Sequence, residues 1–228
     1  MKIHIREGRF VRRVSRVSAT VVYEGREELV HLNNTGKLLD ILRPGTTVAL
    51  MPINGKKTRF RIVGTRVDEE WYTLIDTNLQ EKVVVRWIEE GRIGWLRGYR
   101  VEGRHVKVGN SRIDLLLKNE RDEELLLEIK SAVFYFPEDS SARYPDTITE
   151  RGQKHIRELS GLPGKRGILF VAAHPHARLF RPCSLDPEIP RLLKDARDRG
   201  VILKGISMAL RRDGSIELLS DDLPVILP

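Results

Sequence analysis

The chain has 228 residues, 40% apolar and 32% charged, enough to bury a sizeable core and to form two compact domains. Its single cysteine, Cys183, read as an ordinary semi-buried residue, excludes an internal disulfide and a cysteine zinc cluster. No stretch of about 18 apolar residues could span a membrane, and MKIHIREGRF lacks an apolar leader core; the protein is expected to be soluble and cytoplasmic, with no membrane partner.

Lysine and arginine exceed aspartate and glutamate by 40 to 32, a formal charge of +8, which favours polyanions as partners. Residues 1–80 hold 14 basic and 9 acidic side chains, net +5, against 26 and 23, net +3, in the remainder. A solvated surface of the thermophile kind would explain the density of charge better than its sign.

Strand-like runs occupy 9–25, 26–32, 46–53, 58–67 and 69–77, punctuated by Glu24-Gly25, Pro44-Gly45 and Asn54-Gly55. Five strands in that length predict an OB-like β-barrel, a fold that commonly holds oligonucleotides or oligosaccharides. Thr35–Leu42, stopped by Arg43-Pro44-Gly45, predicts a short helix. An amphipathic helix over Glu81–Glu90, closed by Gly91, marks a boundary and divides the chain into 1–80 and 81–228.

Beyond it, Ser111–Lys118 and Glu124–Phe134 bracket Asn119-Glu120-Arg121-Asp122 as an antiparallel hairpin. A helix follows over Ile148–Ser160, with Thr147 and Glu150 as a capping box. The unbroken apolar run Gly167–Ala173 reads as a strand buried on both faces, of the kind parallel crossovers produce. Asp186 as N-cap, Pro187 and Gly200 delimit another helix to Arg199, and Val201–Leu210 with Ser215–Leu219 close the chain as strands. The second domain is therefore α/β with a mixed sheet.

The hairpin carries the chemistry. Glu128 and Lys130, two apart on one strand, share a face. A turn centred near Arg121 makes paired positions sum to about 242, which sets Asp114 opposite Glu128. Two carboxylates and an ammonium then converge, the set that phosphodiester hydrolysis with Mg²⁺ or Mn²⁺ requires: Asp114 and Glu128 as ligands, Lys130 to orient or deprotonate water and offset charge. Glu102, upstream, is a further candidate ligand. The alternative is a cross-strand ion pair on a solvated face, but in LLLEIKSAVF a Glu-Ile-Lys among buried-type residues costs desolvation unless it is paired or holds a metal.

On the following helix Arg151 and His155, four apart, flank an apolar stripe and could grip a phosphate, whereas Lys154 and Arg157 read as surface cations. His174 and His176, separated by Pro175 and without a third ligand, are weak evidence for zinc. In the barrel Arg12, Arg13, Arg16, Lys37, Lys56 and Lys57 are candidate phosphate contacts.

Several segments taken together resemble the sugar fermentation stimulation protein A family: GRFVRRV; His31-Leu32-Asn33-Asn34-Thr35-Gly36-Lys37 with Leu42-Arg43-Pro44-Gly45; Lys57-Thr58-Arg59; Asp76-Thr77; Gly109-Asn110-Ser111-Arg112-Ile113-Asp114; Glu128-Ile129-Lys130-Ser131; and Tyr144-Pro145-Asp146-Thr147 running into Thr149-Glu150-Arg151-Gly152. The resemblance implies an N-terminal OB-like barrel and a C-terminal restriction-endonuclease-like domain of the PD-(D/E)XK superfamily. It places Asp114, Glu128 and Lys130 on that superfamily's acidic and lysine positions. It also implies DNA binding without marked sequence preference and, in bacteria, a regulatory link to sugar metabolism. The family's usual Pro-Asn-Thr-Gly is Asn33-Asn34-Thr35-Gly36 here, and no proline-asparagine pair follows Thr77-Asn78-Leu79. A helix-turn-helix proposed for the family's C-terminal end is not carried over, since Ile202–Leu219 reads as two strands.

Two functions compete at this stage: a metal-dependent nuclease, and a DNA-binding regulatory protein whose nuclease-like site does not turn over. A carbohydrate-binding barrel, a third class, fits poorly with 6% aromatic residues and the basic charge. The expected partner is DNA, single- or double-stranded, and a homodimer is left open.

Overall fold

A computed structural model describes residues 1–38, 40–109 and 111–228. Strands β1 (Arg6–Ser15), β2 (Ser18–Tyr23), β3 (Arg26–Leu32), β4 (Thr47–Pro52) and β5 (Phe60–Arg66) form the N-terminal barrel. Antiparallel pairs β1–β2, β2–β3, β1–β4 and β4–β5 leave one gap, which His31↔Arg61 and Leu32↔Ile62 close by parallel pairing of β3 with β5. Phe10, Val21, Leu32, Leu50 and Ile62 fill the interior.

The count of five strands holds, but the membership differs. Residues 9–25, expected as one strand, break at Arg16-Val17, where the Ser15 and Ser18 hydroxyls meet at 2.7 Å and Ser15 Oγ accepts the Val17 N–H. Serine side chains supply a turn that neither glycine nor proline announces. The last expected strand, β6 (Trp71–Leu74), leaves the barrel after pairing with β5.

The helix expected over 35–42 does not form among the described residues, from which Leu39 is excluded. Leu38 sits at φ 53°, Asn34 Oδ1 accepts the Gly36 N–H at 2.9 Å, and Asp146 Oδ2 accepts that of Leu38 at 3.0 Å. Side-chain acceptors outcompete the helical ladder. Helix α1 (Thr77–Glu89) begins earlier than the Glu81 expected, because Asp76 Oδ1 caps it by accepting the Leu79 N–H at 2.9 Å. Arg61 of β5 pairs with Asp76 at 2.6 Å, so the cap is also a tie to the barrel.

The second unit contains β7 (Tyr99–Val108), β8 (Ser111–Asn119), β9 (Glu124–Ala132), β10 (Phe134–Phe136), β11 (Ser141–Tyr144), α2 (Glu150–Gly161), β12 (Lys165–Ala172), β13 (Leu179–Pro182), α3 (Glu188–Asp198), β14 (Ile202–Arg211) and β15 (Ile216–Leu223). Its main sheet runs β14-β12-β9-β8-β7, with β15 beside β14; β12 is parallel to β9 and β14, and the other pairings are antiparallel. The mixed sheet is as expected. β6 pairs with β14 through Trp71↔Arg211 and Tyr72↔Leu210, which makes barrel and second sheet one continuous surface.

Gly167–Ala173 is the doubly buried strand its composition implies. Ile168, Phe170 and Ala172 join the core beneath α2 and α3, while Leu169, Val171 and Ala173 join the core shared with α1 and the barrel. The expected strand ending at Phe134 stops at Ala132, and β10 continues into a separate three-stranded sheet with β11 and β13.

Helix α2 starts at Glu150 rather than Ile148, and its cap is Thr149, not Thr147: Thr149 Oγ1 accepts the Gly152 N–H at 3.0 Å. Helix α3 starts at Glu188 with Pro187, not the expected Asp186, at its N-cap and no side-chain cap bond; Asp186 instead accepts the Glu188 N–H at 3.2 Å and that of Thr149 at 2.9 Å, tying the starts of α2 and α3 together. Cys183, expected semi-buried, is fully buried. No helix among the described residues is long and apolar enough to cross a membrane.

Candidate metal and nucleic-acid site

Paired residues of β8 and β9 sum to 242 from Lys118↔Glu124 to Leu115↔Leu127. One step further the ladder opens. The Ile129 N–H donates to Asp114 Oδ2 at 2.8 Å, so a side-chain carboxylate takes the place of a main-chain acceptor. Beyond this point β9 has a strand neighbour only on its β12 side among the described residues. The resulting gap, roofed by α2, is the site.

Glu128 and Lys130 point into it together, 3% and 7% exposed. Lys130 Nζ lies 2.6 Å from Glu128 Oε1, and His155 Nδ1 of α2 lies 3.0 Å from the same oxygen. Glu128 Oε2 is buried without a hydrogen-bond partner among the described residues. Burial alone would raise the Glu128 pKa, but the Lys130 charge and the His155 contact outweigh it and hold the carboxyl down at about 2. Asp114 behaves oppositely: burial first, then the negative charge of Glu128, lifts it to about 6. Burial opposes the charge on Lys130, yet Glu128 more than compensates and its pKa is raised.

A cleft of about 690 Å³ runs from this acid pair to the barrel. Asp114, Glu128, Lys130, Arg151, His155 and, from the barrel turn, Arg16 all line it. The other expected residues lie elsewhere. Glu102 is exposed on β7 beside Arg100 at 3.5 Å, at a register shift between Val101 and Gly103 and outside the cleft lining. Arg13 is consumed by the barrel loop: its guanidinium donates to the carbonyls of Ser15, Arg16, Asn34 and Lys37 at 2.7–3.2 Å, and to that of Gly36. Arg12, Lys56 and Lys57 are exposed outside the cleft, and Lys37 borders a neighbouring pocket.

Some contributors escaped the sequence reading as site residues. Asp146 fastens the barrel loop to the second unit, and a Cβ on Gly36 would collide with its carboxylate. Tyr144, its pKa raised chiefly by burial, places its ring centroid 6.0 Å from Lys130 Nζ, and its hydroxyl leaves no room for a Cβ at Gly152. Glu81 of α1 adds its charge to the field at Asp114. The motif Tyr144-Pro145-Asp146-Thr147 with Gly152 signalled the first two; nothing in the sequence signalled Glu81. His174 stacks on Tyr135 at 3.9 Å, burial lowers its pKa to about 4, and His176 pairs with Asp68 at 3.2 Å, so the two histidines brace loops. No cluster of three or more His, Cys, Asp or Glu suited to a metal occurs among the described residues.

Residues 11–74 match the family model for the SfsA N-terminal OB domain, and residues 78–214 match the sugar fermentation stimulation protein RE domain. The chain belongs to the sugar fermentation stimulation protein family. Homologs of that name include those of Pyrococcus furiosus, 37% identical over 91% of this chain and 90% of the relative, and Archaeoglobus fulgidus, 36% identical over 96% and 94%. The fold is similar to the solved structure of Pyrococcus furiosus SfsA in complex with Ca²⁺, with a TM-score of 0.94 at 33% identity, covering 100% of this chain and 98% of that one. The similarity extends across both the barrel and the mixed α/β unit of this family member.

Proposed function

We propose that the cleft binds DNA without sequence preference and hydrolyses its backbone with a divalent cation, Mg²⁺ or Mn²⁺, held by Asp114 and Glu128. The observation that carries this reading is an unfilled demand for positive charge: a buried, unpartnered Glu128 Oε2 beside an Asp114 whose ionisation is resisted by burial and by Glu128 itself. Two acidic side chains fit a hard cation that takes its remaining ligands from water and phosphate oxygens, as Mg²⁺ commonly does. When bound, such an ion supplies Lewis-acid polarisation of the phosphoryl oxygens and acidifies a coordinated water. The Pyrococcus furiosus relative, solved in complex with Ca²⁺, supports a hard-cation site in this family.

The chain's own residues do the rest. Lys130, its ammonium held charged by Glu128, offsets charge that accumulates on the phosphate and orients the attacking water. Arg151, exposed at the start of α2, and Arg16, across the cleft, hold the backbone on either side. His155 keeps Glu128 in place through its Nδ1 contact. Side chains of this kind grip phosphates and carry no base readout, hence the absence of sequence preference.

A second reading, a non-catalytic DNA-binding regulator linked to sugar metabolism, draws on Lys130 and His155, which already satisfy Glu128 Oε1. Incubation of pure protein with single- and double-stranded DNA separates the two. The first reading expects cleavage with Mg²⁺ or Mn²⁺ that disappears in Asp114→Ala and Glu128→Gln; cleavage surviving in Glu128→Gln refutes it. Salt-sensitive binding without cleavage selects the second.

A further inference from the structure

Beside the cleft lies a second pocket of about 430 Å³, walled by Leu38, Ile41, Phe134, Ile148 and Leu185. We propose that it receives an unpaired nucleobase of the strand whose phosphates occupy the cleft, which makes single-stranded or locally unpaired DNA the substrate class. The inference rests on the reading of the cleft as a DNA site and adds the form of DNA it takes.

The connection between the two cavities is built into the fold. Asp146, Thr147 and Ile148 wall both. In the small sheet, Phe134 pairs with Arg143 and Phe136 with Ser141 across β10 and β11, so Phe134, Phe136 and Arg143 share one face. The two phenyl rings meet edge to face at 4.8 Å, and the Arg143 guanidinium sits 3.7 Å from the Phe136 centroid. Arg143 lines the cleft and Phe134 lines the pocket, so this aromatic and guanidinium platform leads from one to the other.

Two further features select the occupant. Ile148 and Leu185 are 66% and 52% exposed, large apolar surface left in water at the edge of a charged cleft. An occupant that covers them must be apolar across its faces, and since Asp40 and Asp146 line the pocket with Lys37, the negative charge it is attached to belongs in the cleft, where Arg16, Arg143 and Arg151 are. A nucleobase on its sugar-phosphate strand meets both conditions, and base-on-aromatic stacking beside a basic groove is how single strands are held without base readout. A base inside a duplex cannot reach such a pocket unless it leaves the stack.

The test uses the full chain with Ca²⁺ and three labelled 12-nucleotide probes: a single strand, the same strand with abasic sites at its central positions, and a blunt duplex. Fluorescence anisotropy should show the single strand bound at least about fivefold more tightly than the abasic strand, the lower end expected of one stacked base. Phe134→Leu, which keeps apolar volume without the ring, and Leu185→Ser, at an exposed position that lines the pocket and not the cleft, should each bring the single strand to the abasic level. Affinity for the abasic strand and the duplex should stay unchanged. Abasic binding that weakens in Arg151→Ala, together with pocket variants that change nothing or weaken all three probes alike, would leave the cleft reading standing and overturn the base pocket. Wild-type protein that binds none of the probes would overturn both.

Discussion

Asp114→Asn should stabilise the folded protein at neutral pH while abolishing its response to divalent cations. The carboxyl is lifted from its ordinary 3.8 to about 6 by burial and by the Glu128 charge, so the native state holds that proton more tightly than the unfolded chain does. Stability from this group is therefore complete below pH 3.8 and is lost as pH rises towards 6. A gap of about two pH units, at about 1.4 kcal/mol each, amounts to about 3 kcal/mol of native-state cost at pH 8, an upper figure because repulsion from Glu128 relaxes in the variant. Asparagine retains an oxygen to accept the Ile129 N–H, so the amide resembles the protonated acid. Denaturant unfolding should find the variant about 1–3 kcal/mol more stable at pH 8 and nearly equal to wild type at pH 4. Added Mg²⁺ at about 100 times its dissociation constant should stabilise wild type alone by about 2.7 kcal/mol. A variant that is equally destabilised at both pH values would refute the reasoning, since the carboxylate would then be a net structural contributor.

Two other perturbations probe the frame around that acid. Lys130→Met removes the nearest cation from a buried Glu128 and should cost about 3–5 kcal/mol, most of it recovered by adding Glu128→Gln; chemical denaturation of both variants checks this, and a single-variant loss below about 1 kcal/mol would contradict it. Asp146→Ala releases the Leu38 N–H and should weaken the barrel loop by about 1–3 kcal/mol, seen as faster tryptic cleavage after Lys37; an unchanged cleavage rate would show that Arg13 alone holds the loop.

The parts of this architecture that were legible in the sequence obey a period. Alternation identified the barrel strands and the β8–β9 hairpin, and a turn placed at Asn119–Asp122 gave the ladder register, but the direct Asp114–Glu128 pairing it implies does not form: the ladder ends at Leu115↔Leu127 and the Asp114 carboxylate turns to the Ile129 N–H, still near enough for the Glu128 charge to act on it. The apolar run from Gly167 could be read as doubly buried because no polar residue interrupts it. What escaped depends on side chains acting at a distance in sequence. Thr35–Leu42 has helical composition, but its backbone donors are claimed by Asn34 and by Asp146, the latter 108 residues from Leu38. Arg13 looked like a phosphate ligand because its charge was visible and the carbonyls that absorb it were not. Glu102 was proposed from its upstream position alone, which says nothing of where a side chain faces; it lies exposed at the register shift in β7 beside Arg100.

The position of the acid pair follows from the way the two units are joined. β6 is hydrogen-bonded to the barrel on one edge and to β14 on the other, so the barrel is carried by the same sheet that carries Glu128 and Lys130. The Arg61–Asp76 pair and the Asp146–Leu38 bond add ties at the start of α1 and at the barrel loop. Asp186, which anchors the start of α2, fixes the helix from which Arg151 and His155 reach the cleft. Most of the cleft's walls thus rest on strands or capped helices; two loops complete it, the segment 145–148 leading into α2 and the barrel loop, the latter held by one carboxylate and one guanidinium. A strand entering the cleft would meet a preformed acid pair and a loop that can be released at the cost of a few hydrogen bonds, an arrangement in which binding energy need not be spent on assembling the site.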